Sequence, residues 1–574
     1  MAGGGHVRGP GDRRPVHGVV SGRQQVAVVT GGGGGIGAAV AEELGRSGWF
    51  VVTVDPLVSL DGAERLPEPQ ETTAGRIVAA GGSARASSVS VTDAEAVRGL
   101  FEELAEERGG VDAVVNVAGI TRQTYFASGT EEDWLAVLGV HLQGYLNVLH
   151  AALPVMAAAG HGRILGVTSG SGWRAADAGA YSCAKRAVAA ITWQFGSHAP
   201  PGVAVNAVSP IAATRMVAAA VERAKQAGTS GGGGGLSLFK AMPGPEHLGP
   251  LCAHLVGDEF GWCRGQVLFA GGSEVAVVDR PRLLEVVRTE EVGRLDAVLD
   301  AVLPSAFATA ESSQATEGGG NPRFGSIFDE PAPPEPGPAH VQSCAVVSDR
   351  PELADAVTAA LEARVVACHR VEVAQGFDGA AKALRALAES AGPVDAVVVA
   401  LSGGPPDAGA PDGWQRVLAE HGRIVDDIHA DAAWGRAASD YSADAGRPLR
   451  LVTLTDATTA GGRSRAQASA QLSRAAAGGS GGRVAAFAIS VEGREAAAAR
   501  PAGALVAQLL CRPDAAALAG AELVVGAGWI GLRSHPRPLG SVIFGGPAVP
   551  EWLDDTLREM AGDGTPVTAE SPPP

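Results

Sequence analysis

The chain has 574 residues, 80 of them glycine, with 46% hydrophobic and only 5% aromatic residues. It is too long for one ordinary core and too apolar for a disordered or fibrous chain, so two α/β domains and a linker are expected. A net charge of −17 argues against nucleic acid or an anionic membrane surface as partner.

Residues 1–23 carry charges and glycines without the apolar segment of a signal peptide, and are expected to be a disordered tail. The run V-A-V-V-T-G-G-G-G-G-I-G at 26–37 predicts a buried strand ending at Thr30, a glycine turn, and a helix opening near Ile36. Glycine lets the backbone approach a ligand, and the N–H groups and positive dipole end of the new helix suit a pyrophosphate. A flexible linker is the bland reading of such a run. Its place between a Val-rich strand and an Ala-rich helix favours the dinucleotide reading, with Thr30, Gly31, Gly35, Ile36 and Gly37 as cofactor-binding candidates. A second strand over 50–54 ends at Asp55. A carboxylate there accepts hydrogen bonds from both adenosine ribose hydroxyls and repels a 2′-phosphate, which favours NAD over NADP.

A polar loop over 56–71 leads to a helix ending near Gly81-Gly82, and a strand is expected over 84–89. Thr92-Asp93-Ala94-Glu95 reads as the N-cap and acidic first turn of the next helix. The fourth strand, 111–115, runs into N-V-A-G at 116–119. Strand and helix alternate, so the sheet should be parallel and doubly wound, with ligands beyond the carboxyl ends of its strands. A fifth strand over 162–167 delivers Thr168 and Ser169 to that edge. Twelve residues on stands Tyr181, and four later Lys185, a spacing that puts both on one helical face. Alone, such a pair is more often a surface contact. No apolar run spans a membrane, and the six cysteines are scattered without a C-x-x-C pair. Reduced core thiols in a cytoplasmic protein without a metal are expected.

These residues resemble the short-chain dehydrogenase/reductase family from residue 25 to about 280, through T-G-x-x-x-G-I-G at 30–37, N-x-A-G at 116–119, Ser169, Y-x-x-x-K at 181–185, and N-A-V-S-P at 206–210 followed by Thr214. Ala118-Gly119-Ile120-Thr121-Arg122 and Val140-His141-Leu142-Gln143-Gly144 read much like the (3R)-hydroxyacyl-CoA dehydrogenase part of the peroxisomal multifunctional enzyme. Bacterial ketoacyl-carrier-protein reductases are almost as similar. The resemblance implies a Rossmann-like fold and hydride exchange between a nicotinamide and a secondary alcohol or ketone, on an acyl-thioester or polyketide-like substrate. Tyr181 becomes the acid/base, its pKa of about 10 lowered by Lys185 and the oxidised nicotinamide. Lys185 also holds the nicotinamide ribose, and Ser169 stabilises charge on the substrate oxygen. Asn116, Ala118 and Gly119 line the adenosine side; Pro210, Ile211 and Thr214 face the carboxamide. His141 stands where the family's asparagine supports a water relay, and both a relay and a structural role are open. Val89 and Ser90 replace the family's adenine aspartate, which loosens adenine recognition. Residues 216–242, the family's lid, contain five consecutive glycines at 231–235, either a hinge or an inert insertion.

The catalytic domain is thus expected over 24–304, a Ser/Gly/Pro-rich linker over 305–340, a second domain over 341–550 and a tail over 551–574. The second domain repeats the pattern, with strands near 344–348, 395–400 and 451–455, and resembles a family member with its site erased. Ser348-Asp349-Arg350-Pro351-Glu352-Leu353 replaces the glycine turn, and its carboxylates repel a pyrophosphate. Asp456 falls at the place of Ser169, with Ser469 and Ser473 about where Tyr181 and Lys185 would be. A core kept without a site implies packing, hence an internal pseudo-dimer with Trp414 and Trp434 among its anchors; a homodimer of whole chains is also open. The Ala/Gly/Arg-heavy composition is associated with GC-rich bacteria and specialised metabolism. A non-catalytic NAD(H)-binding scaffold and redox-neutral chemistry on the same fold are the alternatives.

Overall fold

The computed structural model describes residues 23–175, 179–219, 242–289, 294–314, 340–404, 409, 411, 413–546 and 548–562. All of the expected tail over 1–23 but Arg23, the glycines at 231–235 and most of the expected linker lie outside the described residues.

Val-rich runs make the strands, because a parallel sheet covered on both faces needs apolar side chains on both. The first half supplies β1 (Val26–Thr30), β2 (Phe50–Val54), β3 (Ser83–Ser87), β4 (Ala113–Asn116), β5 (Gly162–Val167), β6 (Val203–Ile211), β7 (Val267–Gly271) and β8 (Glu274–Asp279). They lie in the order β8-β7-β6-β5-β4-β1-β2-β3. All neighbours are parallel except the β7–β8 hairpin. Strand order reverses at β1, where Thr30 and Asn116 end side by side and open the crevice that binds ligands in such sheets.

The next strand, β9 (Leu283–Arg288), leaves this sheet. It joins one built from β10 (Ser343–Ser348), β11 (Ala367–Val371), β12 (Ala396–Ala400), β13 (Leu449–Asp456), β14 (Val484–Val491), β15 (Glu522–Gly526) and β16 (Trp529–Arg533), in the order β11-β10-β12-β13-β14-β15-β16-β9. In return β17 (Arg537–Ile543) pairs antiparallel with β8. The helix Leu553–Ala561 then buries Leu553 and Leu557 in the first half's core beside Leu251 and Val256.

This exchange corrects the expected boundaries. Residues 283–288 belong to the second sheet, and 537–561 belong to the first half rather than to a second domain and tail. The helical segments Leu303–Phe307 and Ala308–Ser312 stand where a linker was expected, with Phe307 fully buried and Glu311 hydrogen-bonded to His535 at 2.7 Å. Each exchanged strand covers an edge that would otherwise present unpaired backbone groups.

The halves also share a core. The helix Gly179–His198 packs along Ala460–Gly479, and one apolar cluster runs from Phe126 and Trp134 to Phe377 and Trp434. Trp134 and Phe377 meet edge to face across the junction, with centroids 5.9 Å apart. Trp434 is fully buried, whereas Trp414 is only partly so.

Candidate active site

The glycine turn is shaped as a cradle. Gly31 and Gly35 hold positive φ angles of 65° and 56°, a region that favours glycine. A Cβ on Gly33 would come within 2.6 Å of Asp55 Oδ2. Asp55 is fixed from behind, accepting hydrogen bonds from the Gly33 N–H at 3.0 Å and the Leu57 N–H at 2.9 Å. Thr30 Oγ1 donates to Asn116 Oδ1 at 2.8 Å and accepts from the Ala118 N–H at 3.2 Å, tying the ends of β1 and β4 together. The helix Gly35–Arg46 has no side-chain cap, so its first N–H groups are available to an anion. These residues fit a dinucleotide.

Beside the cradle lies a cavity of about 1030 Å³. Gly31, Gly35, Ile36, Asp55, Ala118, Gly119, Pro210, Ile211 and Thr214 line it with His141, Ser169, Tyr181 and Lys185, so the structure brings the sequence candidates to one place. Thr30, Gly37 and Asn116 stand behind its wall. The apolar side chains of Trp173, Phe269 and Pro538 also line it. Pro538 comes from β17, so the strand that returns to the first sheet near the chain's end also lines the cavity.

Tyr181 and Ser169 are hydrogen-bonded, while Lys185 Nζ donates to the Val167 carbonyl at 2.7 Å and lies 5.7 Å from the centre of the Tyr181 ring. The helix bearing both is pinned where Thr168 Oγ1 donates to the Lys185 carbonyl at 2.6 Å. Burial pushes the Tyr181 hydroxyl above its ordinary range, opposed by the Ser169 hydrogen bond and the Arg174 charge. In the protein alone, burial outweighs the lowering expected from Lys185. Burial brings Lys185 down to about 7.

His141 is buried, and its Nε2 lies 2.8 Å from the Ile120 carbonyl. Burial first, and the Lys185 charge second, bring its pKa down to about 3, so it is neutral near pH 7. A Cβ on Gly119 would come within 2.5 Å of His141 Cε1, so this glycine is what admits an imidazole here.

Sequence reasoning missed Arg215, whose guanidinium lies 3.2 Å from the position of a Cβ on Gly34. The only signal was a basic residue directly after Thr214. In the second half, Leu449 pairs with Val484 as Gly162 pairs with Val203, which makes Asp456 the counterpart of Ser169. Counting along the helices that precede β14 and β6, the counterparts of Tyr181 and Lys185 are Gly462 and Ala466. Ser469 and Ser473 are not, because the connection after β13 is shorter than that after β5. At the place of the glycine turn stands the buried Arg350, which reaches Glu495 at 3.2 Å and Asp456 at 3.8 Å.

A doubly wound sheet with a glycine cradle at its switch point defines a dinucleotide-binding protein. The short chain dehydrogenase family model matches residues 25–225. The acetoacetyl-CoA reductase of Cupriavidus necator is 32% identical over 246 residues, which are 42% of this chain and 94% of that one. The peroxisomal hydratase-dehydrogenase-epimerase of Neurospora crassa is 31% identical over 254 residues, 44% of this chain and 26% of that protein. The chain belongs to the short-chain dehydrogenase/reductase family, whose members are NAD(P)-dependent oxidoreductases. A crystal structure of the N-domain, with NADP, of a bacterial malonyl-CoA reductase covers 85% of this chain and 95% of its own. Its TM-score is 0.59 at 16% identity, a likeness of fold alone that extends over both halves. Among the described residues no His/Cys/Asp/Glu group is arranged to hold a metal, and no helix is long and apolar enough to cross a membrane.

Proposed function

We propose that the first half is an NAD(H)-preferring oxidoreductase that interconverts a ketone and a secondary alcohol carried on an acyl thioester. The observation that carries this reading is the Ser169–Tyr181–Lys185 cluster beside the glycine cradle, in one cavity. A bound nicotinamide supplies or takes the hydride. Tyr181, hydrogen-bonded to Ser169 and holding its proton in the protein alone, is the acid that protonates a ketone oxygen and, in the reverse direction, the base that receives the proton. Ser169 donates to that oxygen and stabilises charge building there. Lys185, near half-charged at pH 7, holds the ribose hydroxyls and returns protons towards Tyr181. His141, neutral, supports this relay by position.

Asp55 supports the preference for NAD over NADP. The apolar lining residues Trp173, Phe269 and Pro538 and the relative named for acetoacetyl-CoA support a 3-oxoacyl thioester. The second half is a non-catalytic partner in an internal pseudo-dimer, since Arg350 and its carboxylates fill the place of a pyrophosphate and Gly462 and Ala466 carry no acid or base. Fluorescence titration with NADH and NADPH, followed by turnover of a panel of 3-oxoacyl thioesters, tests the reading. Tight NADH binding with turnover is expected. NADH binding without turnover of any ketone would make the chain a nucleotide-binding scaffold, and binding of neither nucleotide would remove the cofactor reading.

A further inference from the structure

Gln471 belongs to the second half and is fully buried against the first. Its Nε2 donates to the Ser171 carbonyl at 3.1 Å and to the Arg174 carbonyl at 2.8 Å. Only the amide nitrogen end can face two carbonyl oxygens, so the partners fix which way the amide points. The Ser171 N–H in turn donates to Ser169 Oγ at 3.2 Å, and Ser169 is hydrogen-bonded to Tyr181. A continuous line of contacts therefore runs from the second half, through one turn of backbone, to the reacting groups.

We propose that Gln471 is a positioning residue for this site, holding residues 170–174 so that Ser169 Oγ faces Tyr181. The inference rests on the reading of Ser169 and Tyr181 given above. Packing alone does not account for a glutamine, because its Oε1 is buried without a hydrogen-bond partner. A buried acceptor left unpaired costs free energy that a methionine of similar length would not. The same turn is gripped from its other side. Arg186, next to Lys185, donates to the Gly172 carbonyl at 3.4 Å while its other nitrogens are held by Gln467 at 2.9 Å and Glu522 at 2.6 Å, both from the second half. The second half also holds the loop at residues 125–129 bordering the cavity, where Arg436 donates to the Phe126 and Gly129 carbonyls at 3.0 Å. A half without an acid or base of its own thus shapes the site of the other.

The test uses the full-length chain and its Gln471→Met and Gln471→Glu variants. Hydrogen–deuterium exchange reads the amides of residues 171–174, which are bonded back to Ser169 and Gly170 in this turn. Exchange at these amides should be at least about tenfold faster in Gln471→Met while the rest of the chain and the NADH affinity stay as in wild type. In turnover, kcat should fall about tenfold in Gln471→Met and further in Gln471→Glu, whose carboxylate opposes two carbonyls, with KM changed less than twofold. Unchanged exchange at 171–174 in Gln471→Met overturns the proposal. Should that variant fail to fold, Gln471→Asn, with its amide one methylene short, is read by the same criterion. A wild type that turns over no 3-oxoacyl thioester would defeat the functional reading, and the exchange measurement would still decide the role of Gln471.

Discussion

His141 stands edge-on to Tyr181, with ring centroids 5.0 Å apart and planes at 87°, while its Nε2 meets the Ile120 carbonyl at 2.8 Å. The imidazole therefore braces the Tyr181 ring and fastens the strand-end loop that carries Gly119 and Ile120. Its pKa of about 3 excludes a change of charge near neutrality. His141→Asn, which keeps a donor for Ile120, should retain kcat within about tenfold, whereas His141→Leu should lose about 10²-fold. The pH–rate profiles of wild type and His141→Asn should share the same limbs between about pH 5 and 8, because no limb belongs to this histidine.

Lys185 gives the pH dependence of stability a definite sign. Its ordinary value of 10.5 falls to about 7 in the folded chain through burial. Below pH 7 it is charged in both states, and the folded state bears the full cost of burying the charge. Between the two values the unfolded chain binds more protons at this group, so the Lys185 contribution to stability rises with pH. Lys185→Met removes that cost. The variant should be inactive yet more stable than wild type by about 1–3 kcal/mol at pH 6, with the gain shrinking by pH 9, as read by urea unfolding.

Across the junction, Arg186 and Glu522 form an ion pair at 2.6 Å with both side chains buried. Removing one partner leaves the other charge buried with only part of its compensation. Arg186→Met should cost about 3–5 kcal/mol in unfolding free energy, and adding Glu522→Leu should recover most of it. A double variant as unstable as the single one would show that the pair does more than neutralise itself.

Much of the first half was legible because its chemistry is local. Residues 26–37 encode strand, turn and helix within one short run, and Tyr181 and Lys185 announce their shared face by spacing. The exchange of β9 and β17 was not legible. Leu283–Arg288 and Arg537–Ile543 read L-L-E-V-V-R and R-P-L-G-S-V-I, without a clean period of two, and nothing in either run says which sheet it joins. Pro538 reached the cavity unannounced for the same reason. Ser469 and Ser473 were misplaced because counting residues cannot reveal a shortened loop, and Gln471 was invisible because its partners are backbone carbonyls, which leave no mark in sequence.

Asp55 accepts hydrogen bonds from two backbone N–H groups, and on the NAD-preferring reading proposed above its carboxylate repels a 2′-phosphate. Asp55→Ser should therefore raise NADPH affinity by at least about tenfold and weaken NADH binding by a similar factor, as read by fluorescence titration.

Whether Tyr181 is the acid/base of a ketone–alcohol interconversion is decided by NADH consumption with acetoacetyl-CoA, compared between wild type and Tyr181→Phe. The phenylalanine keeps the ring against His141 and removes only the hydroxyl bonded to Ser169. In Tyr181→Phe, kcat should fall at least about 10³-fold while NADH affinity stays within about threefold of wild type. A Tyr181→Phe variant that consumes NADH at a rate close to wild type would contradict that role.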